Sequence, residues 1–221
     1  MNIAIIGTGN VGSALGRSLS RAGHRVTLAG RDSQKTRRVA QEIGVRAADG
    51  AREAAAGADV VILAVWYSDL EAVARELGDA VSGKVVVEPS NPLTADYSGL
   101  ATAGGPSAAE QLRDWLPNAR VVKAFNTLFG SLQADPGAHG QRVDALFATD
   151  DEEARLRMFD VLDSLGFRPV DVGPLVRARE LESLAFLNIG LQLRYGGDWR
   201  TASVFVGAPE AATRPTAAAA A

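Results

Sequence analysis

The chain of 221 residues contains no cysteine and only two histidines, His24 and His139. That composition excludes a disulfide framework, a thiolate nucleophile, an iron–sulfur cluster and a cysteine zinc site, and no histidine-built metal site is expected. It also lacks a basic run. The 23 Lys and Arg face 26 Asp and Glu, a formal charge of −3, which argues against wrapping nucleic acid or coating an anionic membrane. No segment approaches the roughly 20 apolar residues needed to span a bilayer, and the chain opens in a strand-like run with no charged leader. The expectation is a cytoplasmic protein that handles small soluble molecules. With 47% hydrophobic residues the chain can build a real core, and disorder is a poor reading.

What is present is alternation. Asn2 to Ile6 is a short apolar run that meets glycines at once, and Val11, Leu15 and Leu19 then share one helical face. A second strand is expected from Arg25 to Ala29, followed by a helix from Ser33 to Ile43 with Asp32 or Ser33 as N-cap. The segment ADVVILAV, Ala58 to Val65, is apolar on both faces, as in a central strand covered by helices on each side. Helices near Asp69 to Leu77, Ala108 to Leu116 and Asp151 to Leu165 alternate with strands at Lys84 to Val87, Arg120 to Phe125, Asp144 to Ala148 and Arg168 to Val172. This order predicts an α/β fold, a doubly wound parallel sheet with right-handed crossovers.

The expected division is a nucleotide-binding domain over 1–149, a small C-terminal α/β extension over 150–208 and a flexible tail over 209–221. Thr94 to Pro106 has neither helical nor strand period and holds three glycines, so it reads as a mobile loop, either a lid or a surface connection. From Leu175 to Tyr195, Leu181, Leu184, Leu187, Asn188 and Leu191 fall at helical spacing. That helix is expected to cover the sheet's end or to meet a partner in a homodimer.

Gly7-Thr8-Gly9-Asn10-Val11-Gly12 follows a strand and opens a helix, the setting in which a GxGxxG string signals a Rossmann-type dinucleotide site. Gly7 permits the tight turn, Gly9 lets the backbone approach a diphosphate, and Gly12 allows close helix–strand contact. Free N–H groups near Asn10 and Val11, at the positive end of the helix, are suited to the diphosphate.

An NAD site usually ends its second strand in a carboxylate that binds the ribose hydroxyls. Here that strand ends in Gly30-Arg31. A carboxylate would repel a 2′-phosphate, whereas glycine leaves room and Arg31 offers a planar fork of donors. Ser33 adds a hydroxyl, and Lys35 and Arg38 follow on one helical face. The pattern predicts NADP, with Asp32 turned away to cap the helix and Arg37 on the solvated face.

The hydride acceptor is less legible. Reducing a ketone or imine requires a proton donor beside the nicotinamide, and Lys123, in VVKAFNT at a strand end, is the lysine placed for it by topology, although a strand-end lysine is more often solvated. A planar hydride carrier such as a flavin or deazaflavin removes the requirement, because two rings need only be held face to face with water excluded. No catalytic side chain is then needed. Val65 and Trp66, Asn91 and Pro92, and Ala124, Phe125, Asn126 and Thr127 are the carboxyl-edge segments available. Asn91 and Asn126 offer amides to a carboxamide or ring carbonyl, while Trp66 and Phe125 serve equally well as core.

GTGNVGSAL, the Gly30-Arg31 turn, PSAAEQL from Pro106, VVKAFNT from Val121 and above all DVGPLVRARELESLAFLNI, Asp171 to Ile189, resemble the NADPH-dependent deazaflavin (factor 420) reductases. The resemblance runs from residue 2 to about 205. It implies NADP and a deazaflavin coenzyme as partners, with hydride passing directly between stacked rings. Thr8, Asn10 and Val11 would then hold the diphosphate, Arg31, Ser33 and Lys35 the 2′-phosphate, and Asn91, Pro92 and Ala124 to Thr127 would border the rings. Ser90-Asn91-Pro92 is closer to the wider set of oxidoreductases with this N-terminal domain, including the reductase portion of membrane metalloreductases. Two other functions stay open: reduction of a small imine or carbonyl with Lys123 or a lid residue as acid, and a module that senses NADP without turnover.

Overall fold

The structure, a computed structural model, describes residues 1–213; residues 214–221, most of the expected flexible tail, lie outside the described residues. Eight strands form one sheet in the order β3-β2-β1-β4-β5-β6-β7-β8. The strands are β1 (Asn2–Ile6), β2 (Arg25–Ala29), β3 (Arg46–Ala47), β4 (Val60–Leu63), β5 (Val85–Glu88), β6 (Arg120–Ala124), β7 (Asp144–Thr149) and β8 (Arg168–Asp171). The helices are α1 (Asn10–Arg21), α2 (Ser33–Ile43), α3 (Ala51–Ala56), α4 (Tyr67–Leu77), α5 (Ala108–Trp115), α6 (Gly130–Ala134), α7 (Glu152–Ser164), α8 (Ala178–Tyr195) and α9 (Glu210–Thr213). No helix among the described residues is long and apolar enough to cross a membrane.

The residues of β1 and β4 explain the layering. Ile3, Ile5, Val60 and Ile62 join Leu15 and Leu19 of α1 on one face, while Ala4, Ile6, Val61 and Leu63 join Ala54 of α3 and Leu70 of α4 on the other. A strand apolar at every position must be covered on both faces, and each fully buried aliphatic side chain contributes about 1.5–3 kcal/mol. The strand order turns back on itself between β1 and β4, which opens a crevice at their carboxyl ends.

Two features differ from the pattern expected of the sequence. The sheet is parallel from β3 to β6, but β7 runs antiparallel to β6 and β8 is parallel to β7. A strand parallel to β6 needs a crossover back to the opposite edge. The link between β6 and β7 instead stays at the carboxyl edge, where its short α6 lies against α1. The second difference is the buried stripe of α8. It is Ala178, Leu181, Glu182, Ala185, Ile189 and Gln192, so Leu187 and Leu191 point outward despite their helical spacing. The short β3, α3 and α6 escaped the periodicity because two to six residues carry too little of it.

α5 opens with a reciprocal cap between Ser107 and Glu110. The same carboxylate receives Arg179 of α8 through Nε and Nη2, both at 2.7 Å. The Arg179 guanidinium, against opposing burial and with help from Ser107, holds the Glu110 carboxyl down at about 2, from an ordinary 4.5. A depressed folded-state pKa contributes stability that is present above the ordinary value and is lost as pH falls toward the folded one. Arg179→Met should therefore lower the urea midpoint at pH 7, and the gap to the parent should close as pH falls from 4.5 toward about 2. Urea unfolding across that window checks it; a gap independent of pH would assign the loss to packing by the arginine stem.

Candidate functional site

The glycine turn sits at the crevice between β1 and β4. Gly7 has φ +121°, and a Cβ there would fall 2.1 Å from the Ala64 carbonyl oxygen; one on Gly12 would fall 2.0 Å from the Gly7 carbonyl oxygen. Both glycines are demanded by the chain's own packing. Gly9 is different. Its backbone is extended, with φ −83°, and a Cβ would meet no atom within 4 Å. Nothing inside the protein requires glycine there, so the space beside it is suited to a ligand. Asp32, Ser107 and Asp151 cap α2, α5 and α7 with side-chain oxygens. Among the described residues no side chain caps α1, as is also true of α3, α4, α6 and α8; at α1 the open N-terminus lies beside Gly9, where its first-turn N–H groups can meet an outside acceptor. The cradle fits a dinucleotide diphosphate.

At the end of β2, Asp32 is turned as expected, accepting from the Lys35 backbone N–H at 2.9 Å. Its carboxylate is thereby committed to the helix. Gly30 is hemmed by Thr8 and Thr36, whose atoms lie 3.0–3.3 Å from where its Cβ would be, so the small residue serves packing as well as access. Arg31 is almost fully solvated and meets Asp69 of α4 at 3.5 Å, a partner without a signal in the sequence. Lys35 and Arg38 are exposed and make no ion pair among the described residues. Arg37 lies on the solvated face as expected, where it reaches Asp49 at 2.7 Å and the Ser33 hydroxyl at 3.1 Å.

Beside the first turn of α1 lies a cleft of about 180 Å³ whose wall includes Val11, Asn91, Phe125, Asn126, Gln133 and Ile189. Tyr97, Phe129 and Trp199 also line it. Three non-glycine residues among those described adopt positive φ: Tyr97 at 59°, Phe125 at 68° and Trp199 at 59°. All three are aromatic and all three line this cleft. Bulky residues in the left-handed region carry strain of order 1–3 kcal/mol each and persist only where the surroundings over-determine them.

For Phe125 and Trp199 the surroundings do so, while Tyr97 sits in a local turn, its N–H donating to the Thr94 carbonyl at 2.9 Å. The Phe125 carbonyl accepts from Gln133 Nε2 at 3.1 Å. Trp199 is held through its N–H to Gln192 Oε1 at 3.0 Å, through its carbonyl by the Ser131 hydroxyl, and by an edge-on contact with Phe129 at 5.2 Å. Asn91 and Asn126 pair reciprocally: Asn91 Nδ2 donates to the Asn126 carbonyl at 2.9 Å, and Asn126 Nδ2 donates to Asn91 Oδ1 at 3.0 Å. The buried oxygens Asn126 Oδ1 and Gln133 Oε1 have no partner among the described residues, unusual for buried acceptors and suited to a donor on a ligand.

The structure thus brings Val11, Asn91, Phe125 and Asn126 to one cleft. Pro92 and Ala124 are buried behind it, and Val65 and Trp66 stand apart at the start of α4. Phe125 is 1% exposed and belongs to the core as well as to the cleft wall, whereas Trp66 is 70% exposed and is not core. Tyr97, Phe129, Gln133, Ile189 and Trp199 were missed, although a tryptophan in the polar stretch GGDWR was a usable signal.

Lys123 requires a correction. It is neither solvated nor placed as an acid at the cleft: its side chain is 0% exposed, with Glu88 Oε2 at 2.5 Å and Glu182 Oε1 at 3.0 Å. The sequence reading failed because Glu182 arrives from α8, far along the chain.

The family model described as "NADP oxidoreductase coenzyme F420-dependent" matches residues 2–92. The F420-dependent NADP reductase of Methanothermobacter marburgensis is 30% identical over 211 residues, covering 88% of this chain and 93% of that protein. A crystal structure from Arthrobacter sp. FB24, described as an F420-dependent NADP-reductase, superposes with a TM-score of 0.83 at 30% identity, over 93% of this chain and 99% of that one. The rat metalloreductase STEAP3 is 28% identical over 183 residues, and this chain spans only 36% of its length. An imine reductase from Myxococcus stipitatus shares the fold, with a TM-score of 0.69 at 21% identity.

Proposed function

The chain belongs to the coenzyme F420-dependent NADP oxidoreductase family, and from that premise we propose that it moves a hydride between NADPH and a deazaflavin seated in the aromatic cleft. It is an oxidoreductase, and its cofactor chemistry is hydride exchange between two planar rings held face to face. In this reading Gly7 and Gly12 shape the turn, and Thr8, Gly9, Asn10 and Val11 present the α1 N-terminus to the diphosphate. Gly30, Arg31, Ser33 and Lys35 receive the 2′-phosphate. Asn91 and Asn126, backed by Pro92 and Ala124, border the rings, and Val65 and Trp66 lie on the approach from β4. Phe125, Tyr97 and Trp199 wall the cleft and exclude water, which strengthens every polar contact inside.

The observation that carries the reading is the coincidence of the three left-handed aromatics around a cleft that begins at the first turn of α1. Reduction of a small imine or carbonyl is less well supported, because Lys123 is committed to two carboxylates. Among the described residues, Tyr97 is the one titratable side chain lining the cleft. A mixture of enzyme, NADPH and deazaflavin is expected to bleach the deazaflavin's visible band, with no NADPH consumption on small imines or ketones. Tyr97→Phe should keep most of that activity, since loss of a true general acid costs roughly 10²–10⁴-fold. NADPH binding without turnover on any flavin or deazaflavin would favour the sensor instead. We place the two-fold partner of a homodimer on the exposed Leu187, Leu191 and Tyr195 of α8, and the protein in the cytoplasm.

A further inference from the structure

Lys123 has all three ammonium hydrogens engaged, by Glu88 Oε2 at 2.5 Å, the Ser90 carbonyl at 2.7 Å and Glu182 Oε1 at 3.0 Å. Glu88 Oε1 accepts from the Ser90 N–H at 2.6 Å. One ion pair therefore grips both backbone groups of Ser90, the residue before Asn91. Glu182 is fixed in turn by the Ala108 N–H at 2.9 Å and the Thr102 hydroxyl at 3.0 Å.

The next layer toward the cleft repeats the same ties with amides. Asn91 pairs with Asn126, three residues beyond Lys123, and Asn126 Nδ2 also donates to the carbonyl of Leu181, the neighbour of Glu182, at 3.0 Å. The end of β5, the end of β6 and the first turns of α8 are thus joined twice, once by charges and once by the amide pair. Buried ion pairs are poor stabilisers compared with apolar packing, because desolvation offsets most of the attraction. Stability is an insufficient reason for three buried charges at this spot.

We propose that Lys123, Glu88 and Glu182 are positioning residues that set the Asn91–Asn126 amide pair, and through it the polar edge of the ring cleft. The kinetic consequence rests on the deazaflavin reading; the structural one does not. A shift of about 1 Å in a positioning group can cost roughly 10²-fold in rate, so a ring edge held through two amides is a place where such a clamp matters.

The test uses the full chain with Lys123→Met and with Lys123→Met/Glu88→Gln; the double variant retains the net charge of the native triad. Hydrogen exchange of the Asn91 and Asn126 side-chain amides, read by NMR without ligand, should accelerate about tenfold or more while backbone protection in β1 and β4 is unchanged. With deazaflavin, kcat should fall about tenfold or more with the KM for NADPH unaltered. Native amide exchange in a folded double variant overturns the proposal, as does a parallel change in kcat and NADPH KM, or failure of both variants to fold. Should the parent protein reduce no deazaflavin, the proposed function falls while the exchange measurement still decides the clamp.

Discussion

Gly9→Val is expected to leave the fold intact and to weaken NADPH binding by about 100-fold or more, whereas Gly12→Ala should damage the fold itself. The contrast follows from what a side chain meets. At Gly12 a Cβ lands 2.0 Å from the Gly7 carbonyl oxygen, backbone against backbone, with no flexible group to yield. Overpacking of that kind costs about 1–3 kcal/mol in ordinary cores and more where the backbone must move, a large share of a typical stability of about 5–15 kcal/mol.

At Gly9 the Cβ meets nothing within 4 Å, and the extended backbone tolerates any residue. Loss of glycine as the N-cap costs less than about 1 kcal/mol. The branched side chain instead fills the approach to the α1 N-terminus. Losing charge-assisted hydrogen bonds worth about 1.5–3 kcal/mol each is enough for a 100-fold weakening. Thermal unfolding and NADPH titration on both variants separate the two effects. A Gly9→Val protein that binds NADPH normally would show that the diphosphate lies elsewhere.

Arg31→Ala should raise the Kd for NADPH roughly 10- to 150-fold and leave that for NADH unchanged, the factor corresponding to about 1.5–3 kcal/mol for hydrogen bonds to a charged group. In the free protein Arg31 only touches Asp69 at 3.5 Å, with its side chain 87% exposed. Such a surface pair contributes about 0–1 kcal/mol, so it yields readily to a phosphate and its removal should leave the unfolding temperature unmoved. Titration with both dinucleotides by calorimetry checks this. Equal losses for NADH and NADPH would place Arg31 against the parts they share, and no loss for either would empty the proposed 2′-phosphate corner.

Local chemistry was legible in the sequence wherever the cause is local. The apolar run of β4, the capping by Asp32 and the glycine turn each depend on neighbours a few residues away, through side-chain periods of 2 and 3.6 or through a steric demand on one backbone. So the layered sheet, the glycine turn and the run of basic residues after β2 could be read directly. The direction of β7 could not, because a strand looks alike whichever way it runs. What decided it was the failure of the preceding segment to cross the sheet.

The cleft and the buried ion cluster behind it belong wholly to the tertiary structure. Tyr97, Phe125 and Trp199 come from three distant segments, and the backbones of Phe125 and Trp199 are held by the side chains of Gln133 and Gln192. Lys123 looked like a solvated strand end until folding enclosed it between Glu88 and Glu182. The amino-acid sequence by itself determined the sheet, the glycine turn before α1 and the basic residues after β2, since short-range sterics and charge suffice for all three. The aromatic cleft and the buried ties behind it were decided only by the meeting of residues more than fifty positions apart.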